Sequence, residues 1–325
     1  MNKNDFNSSL GYMVTYEKKI KIEKNCNVDE FDLIHAHTIF PSGIAAYLLA
    51  KKYDKPFLIT SHGFDFYRIL PKTDPDHRGN SYNIKEKQLI RDAMEKVTQF
   101  ICVSEIFGNH VKSYFPKINL KIVPNVYDKE LFNKFGRKAH KSSKSCTILT
   151  VGNFIPVKNH EMLMRAYNKI NGEFPDVKLQ IIGKGVLKKY YKKLCEELSI
   201  QENVQIIDQA DHSEIADFMK NADIYVQTSL SETFGMTIVE AMACGLPVIS
   251  TRTQGPSTYI ENEKTGFLVD KNDVTSLAEN LIKLIRNPEL RNDIGANAAE
   301  SVKAKFSNYT KLVSLYKKIG NYYSE

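Results

Sequence analysis

No C-x-x-C pair occurs among the five cysteines of this 325-residue chain: Cys26, Cys102, Cys146, Cys195 and Cys244 stand far apart. That spacing excludes the usual cysteine zinc sites and offers no disulfide framework, so a reducing cytoplasm is the expected setting. No apolar run reaches the roughly 18 residues of a membrane span. The polar, lysine-rich opening Met1 to Glu30 contains no apolar core of signal-peptide length. A chain that neither crosses a membrane nor is exported by that route is expected. Internal repeats and low-complexity tracts are lacking too, which sets aside solenoids and disordered arrays.

What is present is the balance of a folded globular protein, 42% hydrophobic and 26% charged residues. Single cores stop growing at about 250 to 300 residues, so a chain of 325 is expected to form two domains. The net charge of +7 favours anionic partners, whether nucleotide phosphates, anionic lipid or nucleic acid. The basic residues are scattered and no nucleic-acid recognition motif accompanies them, so no nucleic-acid partner is expected.

From Asp32 onward, short runs of Val, Ile and Leu alternate with longer helix-like stretches, the pattern of an α/β protein with parallel strands and crossover helices. Expected strands are Asp32 to Thr38, Pro56 to Ser61, Gln99 to Val103 and Leu120 to Val123. After the polar, basic stretch from Asn133 to Ser145, a second series follows: Cys146 to Val151, Lys178 to Ile182, Val204 to Ile207, Ile224 to Gln227, Pro247 to Ser250 and Phe267 to Val269. The expected organisation is therefore a first domain over residues 1–140, a second over 141–306, and a terminal segment 307–325. That segment carries a helix, Tyr309 to Tyr322, that packs back toward the first domain. Open parallel sheets bind ligands beyond the carboxyl ends of their strands, so chemistry is expected just after strands and in a cleft between two such halves.

Two loops meet that expectation. After the strand ILTVG come Asn153 to His160, where Gly152 permits close backbone approach and Lys158 supplies a mobile positive charge suited to a phosphate. A loop lysine alone is ordinarily just solvated. The second loop, Ser229 to Thr237, opens through Gly235 into an apolar helix. Its unpaired N–H groups and about half an elementary charge of dipole can hold a diphosphate. Glu232 in this loop and Glu240 in the helix can accept hydrogen bonds from different hydroxyls of one extended ligand. The plainer alternative makes Glu232 a capping acid and Glu240 a surface charge. The apolar neighbours Ala241, Met242 and Ala243 weigh against that for Glu240.

These residues resemble the family 4 glycosyltransferases of GT-B architecture, two Rossmann-like domains facing across a cleft. The resemblance runs over almost the whole chain: DLIHAHTIFPSGIAAYLLAKKYDKPFLITSHGFD, ICVSEIFGNHV, IVPNVYDKELF, VGNFIPVKNH, LQIIGKG and SETFGMTIVEAMACGLPVIS followed by GFLV. It implies transfer of a hexose-type sugar, with retention, from a UDP- or GDP-linked donor to a glycan or lipid-linked acceptor in cell-envelope or exopolysaccharide synthesis. No catalytic metal and no cofactor is expected. By the same resemblance Lys158 holds the donor phosphates, Glu232 binds hydroxyls of the transferred sugar and Glu240 binds the ribose. Gly152 and Asn153 border the donor, Gly235, Met236 and Thr237 offer backbone donors, and His62 approaches the donor sugar from the first domain. His35 and His37 share a strand face, as metal ligands can, but no third ligand is evident nearby and no metal site is expected.

The chain departs from the family pattern in two places. Asn153 stands where the family usually has an arginine, which Arg252 or Lys184 would have to replace. The first domain also reads as shortened, because nothing in Met1 to Glu30 resembles the family's opening strand and glycine-rich loop. Reduced activity, or a non-catalytic or truncated sugar-nucleotide-binding subunit, is the alternative this raises. A sugar-nucleotide epimerase of similar shape is disfavoured by the Glu232 to Glu240 segment. Tyr16 to Lys24 and Lys188 to Lys193 are read as solvated faces, with peripheral contact to an anionic inner membrane face as the alternative.

Overall fold

The computed structural model describes residues 19, 21–70, 82–134 and 145–323. They form two compact units: one takes the chain up to Pro124 together with the segment from Asn308, and the other is Asn125–Ser307.

The first unit is built on four parallel strands in chain order, β1 (Ile34–His37), β2 (Phe57–Ser61), β3 (Gln99–Cys102) and β4 (Leu120–Ile122). Parallel neighbours need long crossovers, supplied by helices Ile44–Tyr53, Ile84–Lys96 and Glu105–Tyr114. Every residue of β2 and β3 is buried. These strands show no alternation of buried and exposed residues, as in any sheet covered on both faces. Part of the cover comes from the far end of the chain: helix Thr310–Tyr323 brings Leu315 and Ile319, one turn apart, onto Leu58, Ile101 and Val123.

The second unit holds six parallel strands in the order β10-β9-β8-β5-β6-β7. They are β5 (Thr147–Val151), β6 (Lys178–Ile182), β7 (Val204–Ile207), β8 (Ile224–Gln227), β9 (Val248–Thr251) and β10 (Phe267–Val269). Strand order reverses at β5, which pairs with β6 on one side and β8 on the other. The crevice beyond such a reversal is where doubly wound sheets bind ligands. Helix Met236–Ala243 follows β8. Its far end is gripped by helix Pro288–Phe306, whose Gly295 lies so close that an added Cβ would stand 2.1 Å from the Gly245 carbonyl oxygen.

The strands match the sequence expectation within a residue or two. The division between units does not fall where the polar linker Asn133 to Ser145 was expected, nor at residue 140. It falls at Pro124 and Asn125, because the chain just beyond is already tied to the second unit: the Tyr127 N–H donates to the Phe306 carbonyl at 3.3 Å, and Phe132 is fully buried against His212. Most of the expected linker, residues 135–144, lies outside the described residues, as does most of Met1 to Glu30 before residue 19, where the missing opening unit was sought. Among the described residues no helix is long and apolar enough to cross a membrane.

Candidate donor-binding site

The loop after β5 is fixed by backbone contacts with β6. The Gly152 N–H donates to the Ile182 carbonyl at 2.9 Å, and the Phe154 N–H to that of Lys184 at 2.8 Å. This approach explains both glycines of LQIIGKG. A Cβ on Gly183 would lie 2.0 Å from the Gly152 carbonyl oxygen, and one on Gly185, at φ 150, would lie 2.6 Å from that of Phe154. A short 3-10 turn, Pro156–Lys158, then ends at Asn159 in the left-handed region with φ 46, a conformation that asparagine tolerates. His160 opens the next helix fully buried, and its Nε2–H donates to the Gly152 carbonyl at 3.0 Å. Burial pulls its pKa down to about 4, so the ring is neutral near pH 7.

The loop after β8 is stitched to this one. The Thr228 hydroxyl donates to the Asn159 carbonyl at 2.8 Å, and the Leu230 N–H to that of Val157 at 2.8 Å. That stitching carries Lys158 to Glu232, whose carboxylate it meets at 2.7 Å with both side chains mostly buried. The loop is braced from behind as well: the Gly255 N–H donates to the Glu232 carbonyl at 2.8 Å and the Tyr259 hydroxyl to that of Phe234 at 2.7 Å. Gly235, at φ 87 and ψ 66, turns the chain into helix Met236–Ala243, and no side chain caps that end. Its first N–H groups have no intrahelical partners and carry the positive end of the dipole.

A cavity of about 340 Å³ lies in this crevice. Gly152, Asn153, Lys158 and Thr237 line it, with Gly183, Lys184 and the Asp208 to Ala210 turn after β7 on the opposite side. Of the two residues considered for the charge missing at Asn153, Lys184 is therefore in place, held at 2.8 Å from the Gln209 amide oxygen. Arg252 is not among the lining residues; it extends to Asp270 at 3.4 Å on an exposed face.

Glu240 is no surface charge: the residue is 4% exposed. Burial raises its pKa, opposed by the charge of His212 and the hydrogen bond that His212 Nε2 makes to Oε1 at 3.2 Å. His212 escaped the reading of the sequence. The available signal was the Asp211-x-x-Glu214 capping box, which starts a helix right after β7 and so brings its first residue to the same end of the sheet.

His62 belongs to the first unit, just past β2. His62 Nε2 and His37 Nδ1 are 2.9 Å apart, and the two rings stack with centroids at 5.2 Å. The two nitrogens share one proton, since one must accept. Burial lowers the pKa of both, and takes His35, which contacts His37 and Tyr316, down to about 4. A third histidine, His62, thus lies beside the His35 and His37 pair. Even so, no group of three His, Cys, Asp or Glu side chains among the described residues could hold a metal ion. The organiser here is Asp65, also missed, although it stands three residues after His62 in SHGFD. Its buried carboxylate accepts from the Ile39 N–H at 2.8 Å, the Ser61 hydroxyl at 3.0 Å and the His62 N–H at 3.2 Å.

Three lysines of the stretches considered for membrane contact pair with acids of the chain itself. Lys19 pairs with Glu23, which Lys52 of helix Ile44–Tyr53 also reaches, Lys188 with Asp208, and Lys193 with Glu197.

Comparison with known proteins places this geometry among relatives. The model of the group 1 glycosyl transferases matches residues 132–301, and that of glycosyltransferase family 4 matches residues 5–131. An uncharacterized glycosyltransferase of Methanocaldococcus jannaschii is 32% identical over 88% of this chain and 75% of its own length. The N-acetyl-alpha-D-glucosaminyl L-malate synthase of Bacillus anthracis is 31% identical over 90% of this chain and 74% of its own. Among solved structures, sucrose-phosphate synthase of Thermosynechococcus elongatus superposes with a TM-score of 0.76 at 22% identity, covering 89% of this chain and 74% of that one. HepE of Anabaena, solved with UDP and glucose, superposes with 0.73 at 20% identity over 98% and 83%.

Proposed function

Because the chain belongs to the family 4 glycosyltransferases and has their GT-B fold, we propose that it transfers a hexose-type sugar, with retention, from a UDP- or GDP-linked donor. The acceptor in this reading is a glycan or lipid-linked saccharide of the cell envelope or an exopolysaccharide, and the setting is the cytoplasm. The observation that carries it is the cavity beyond the strand reversal, where Gly152, Asn153, Lys158 and Thr237 converge. The structure of HepE with UDP and glucose supports a nucleoside diphosphate donor.

In this reading Lys158, Lys184 and the N-terminus of helix Met236–Ala243 take up the diphosphate, Glu240 the ribose, and Glu232 the hydroxyls of the transferred sugar; the family resemblance adds His62 as a catalytic residue. Transfer breaks the bond between the anomeric carbon and the diphosphate oxygen and forms one to the acceptor oxygen, whose hydroxyl proton passes to the departing diphosphate. Negative charge therefore grows on the leaving phosphate, where prearranged donors lower the barrier most. The Lys158 to Glu232 pair serves this exchange. As a phosphate takes the ammonium, the Glu232 carboxylate is released toward the sugar, so each group is held by the other until the donor arrives. With two lysines and a helix end at hand, no divalent metal is required to neutralise the diphosphate.

Calorimetric titration of UDP and GDP, with and without magnesium, into the purified chain and its Lys158→Ala variant tests the reading. Binding that ignores magnesium and disappears in the variant supports it. A folded wild-type chain that binds neither nucleotide overturns it, and binding without transfer to any acceptor would make the chain a sugar-nucleotide-binding subunit.

A further inference from the structure

We propose that His212 is a positioning residue that holds Glu240 as a carboxylate ready to accept ribose hydroxyls, and thereby sets the preference for ribonucleotide over deoxyribonucleotide donors. The proposal rests on the donor-site reading above.

The geometry has three parts. Glu240 lies one helical turn after Thr237, on the same face of helix Met236–Ala243, and Thr237 lines the cavity. His212 belongs to the turn after β7 that borders the same cavity on either side of it, through Ala210 and Ile215. The two residues meet at 3.2 Å, Nε2 to Oε1, with the carboxylate side chain 5% exposed and the imidazole 60% exposed. The buried acid thus receives its hydrogen bond from a solvent-exposed ring.

His212 is itself held in place. The Asp211 and Glu214 capping box fixes the start of its helix, and the ring of Phe132 stands edge-on to it with centroids 4.9 Å apart. Burial favours the neutral acid in Glu240, and the charge of His212 and its hydrogen bond work against that. The distinction matters for recognition. A carboxylate offers only acceptor sites and can take two hydroxyls at once, whereas a protonated acid spends one oxygen as a donor. The His212 bond also leaves the second oxygen, Oε2, for a ligand.

The test measures Kd for UDP and GDP against their 2′-deoxy and 3′-deoxy analogues in the full chain and in His212→Ala, His212→Gln and Glu240→Gln, with circular dichroism as the check on folding. For whichever base binds, His212→Ala should weaken ribonucleotide binding on the order of tenfold and lose most of the discrimination against the deoxy analogues. His212→Gln, which can still donate, should restore it, and Glu240→Gln should abolish it. Discrimination kept in folded His212→Ala but lost in Glu240→Gln overturns the role of His212 alone. Discrimination kept in Glu240→Gln overturns the ribose assignment of Glu240 beneath it.

Discussion

Lys158 and Glu232 lie 74 residues apart in sequence and 2.7 Å apart in space, joined across the reversal of the second sheet. Since both side chains keep some solvent exposure, the pair contributes about 1 kcal/mol or less to folding, while its members carry the proposed chemistry. Lys158→Ala and Glu232→Ala should therefore each lower kcat on the order of a hundredfold or more. Their urea midpoints should move little. Normal turnover in either variant would remove that residue from the site.

Gly235 and Gly255 should reject a methyl group for different reasons. At Gly235 the backbone is left-handed, and a Cβ would meet Ile238 at 2.9 Å and the Tyr259 hydroxyl at 3.1 Å, so Gly235→Ala should cost about 1 to 3 kcal/mol and disturb donor binding. At Gly255 the obstacle is the Phe234 backbone at 2.4 Å, which cannot swing aside. Gly255→Ala should thus be the more damaging in thermal denaturation, and equal midpoints would contradict the packing described.

His160 makes the second unit sensitive to acid. Its folded pKa is about 4 against an ordinary 6.5, so below pH 6.5 the unfolded chain takes up a proton that the native chain refuses. Stability is then lost as the pH falls from about 6.5 toward 4, on the order of 3 kcal/mol from this group. His160→Gln, which can still donate to Gly152, should show a shallower decline in urea unfolding between pH 7 and 5. Parallel declines would locate the acid sensitivity elsewhere.

Asp65 should matter through the turn it holds. Asp65→Ala leaves the buried Ile39 N–H and Ser61 hydroxyl without their acceptor, at a cost of about 1 to 3 kcal/mol each, and frees the turn that carries His62. A fall in kcat/KM well beyond the loss of folded protein is expected. Activity per folded molecule equal to wild type would show that the turn keeps its shape unaided.

The fold was legible because parallel strands covered on both faces are written as short runs rich in apolar residues without alternation, as in Phe57–Ser61 and Ile224–Gln227, with loop chemistry concentrated after them. The second-unit loops were legible for the same reason: Gly152, Lys158 and Gly235 each follow a strand. What could not be read were pairings made across the sheet. Nothing local in ADHSE announces a partner at Glu240, nor in SHGFD that Asp65 reaches back to Ile39, because those contacts depend on strand order. The expected linker was misplaced for a related reason. Polarity marks where chain is exposed, but the units part where contacts change sides, and Tyr127 and Phe132 are apolar residues already committed to the second unit.

Helix Thr310–Tyr323 completes the core of the first unit after the whole second unit has been spelled out. On the ribosome the continuous unit Asn125–Ser307 can finish folding as soon as it emerges. The earlier-made one must wait with Leu58, Ile101 and Val123 incompletely covered until Leu315 and Ile319 are translated. Order of synthesis and order of completion are therefore reversed, and a chain cut before residue 310 would leave Leu58, Ile101 and Val123 incompletely covered while keeping every segment of the unit Asn125–Ser307.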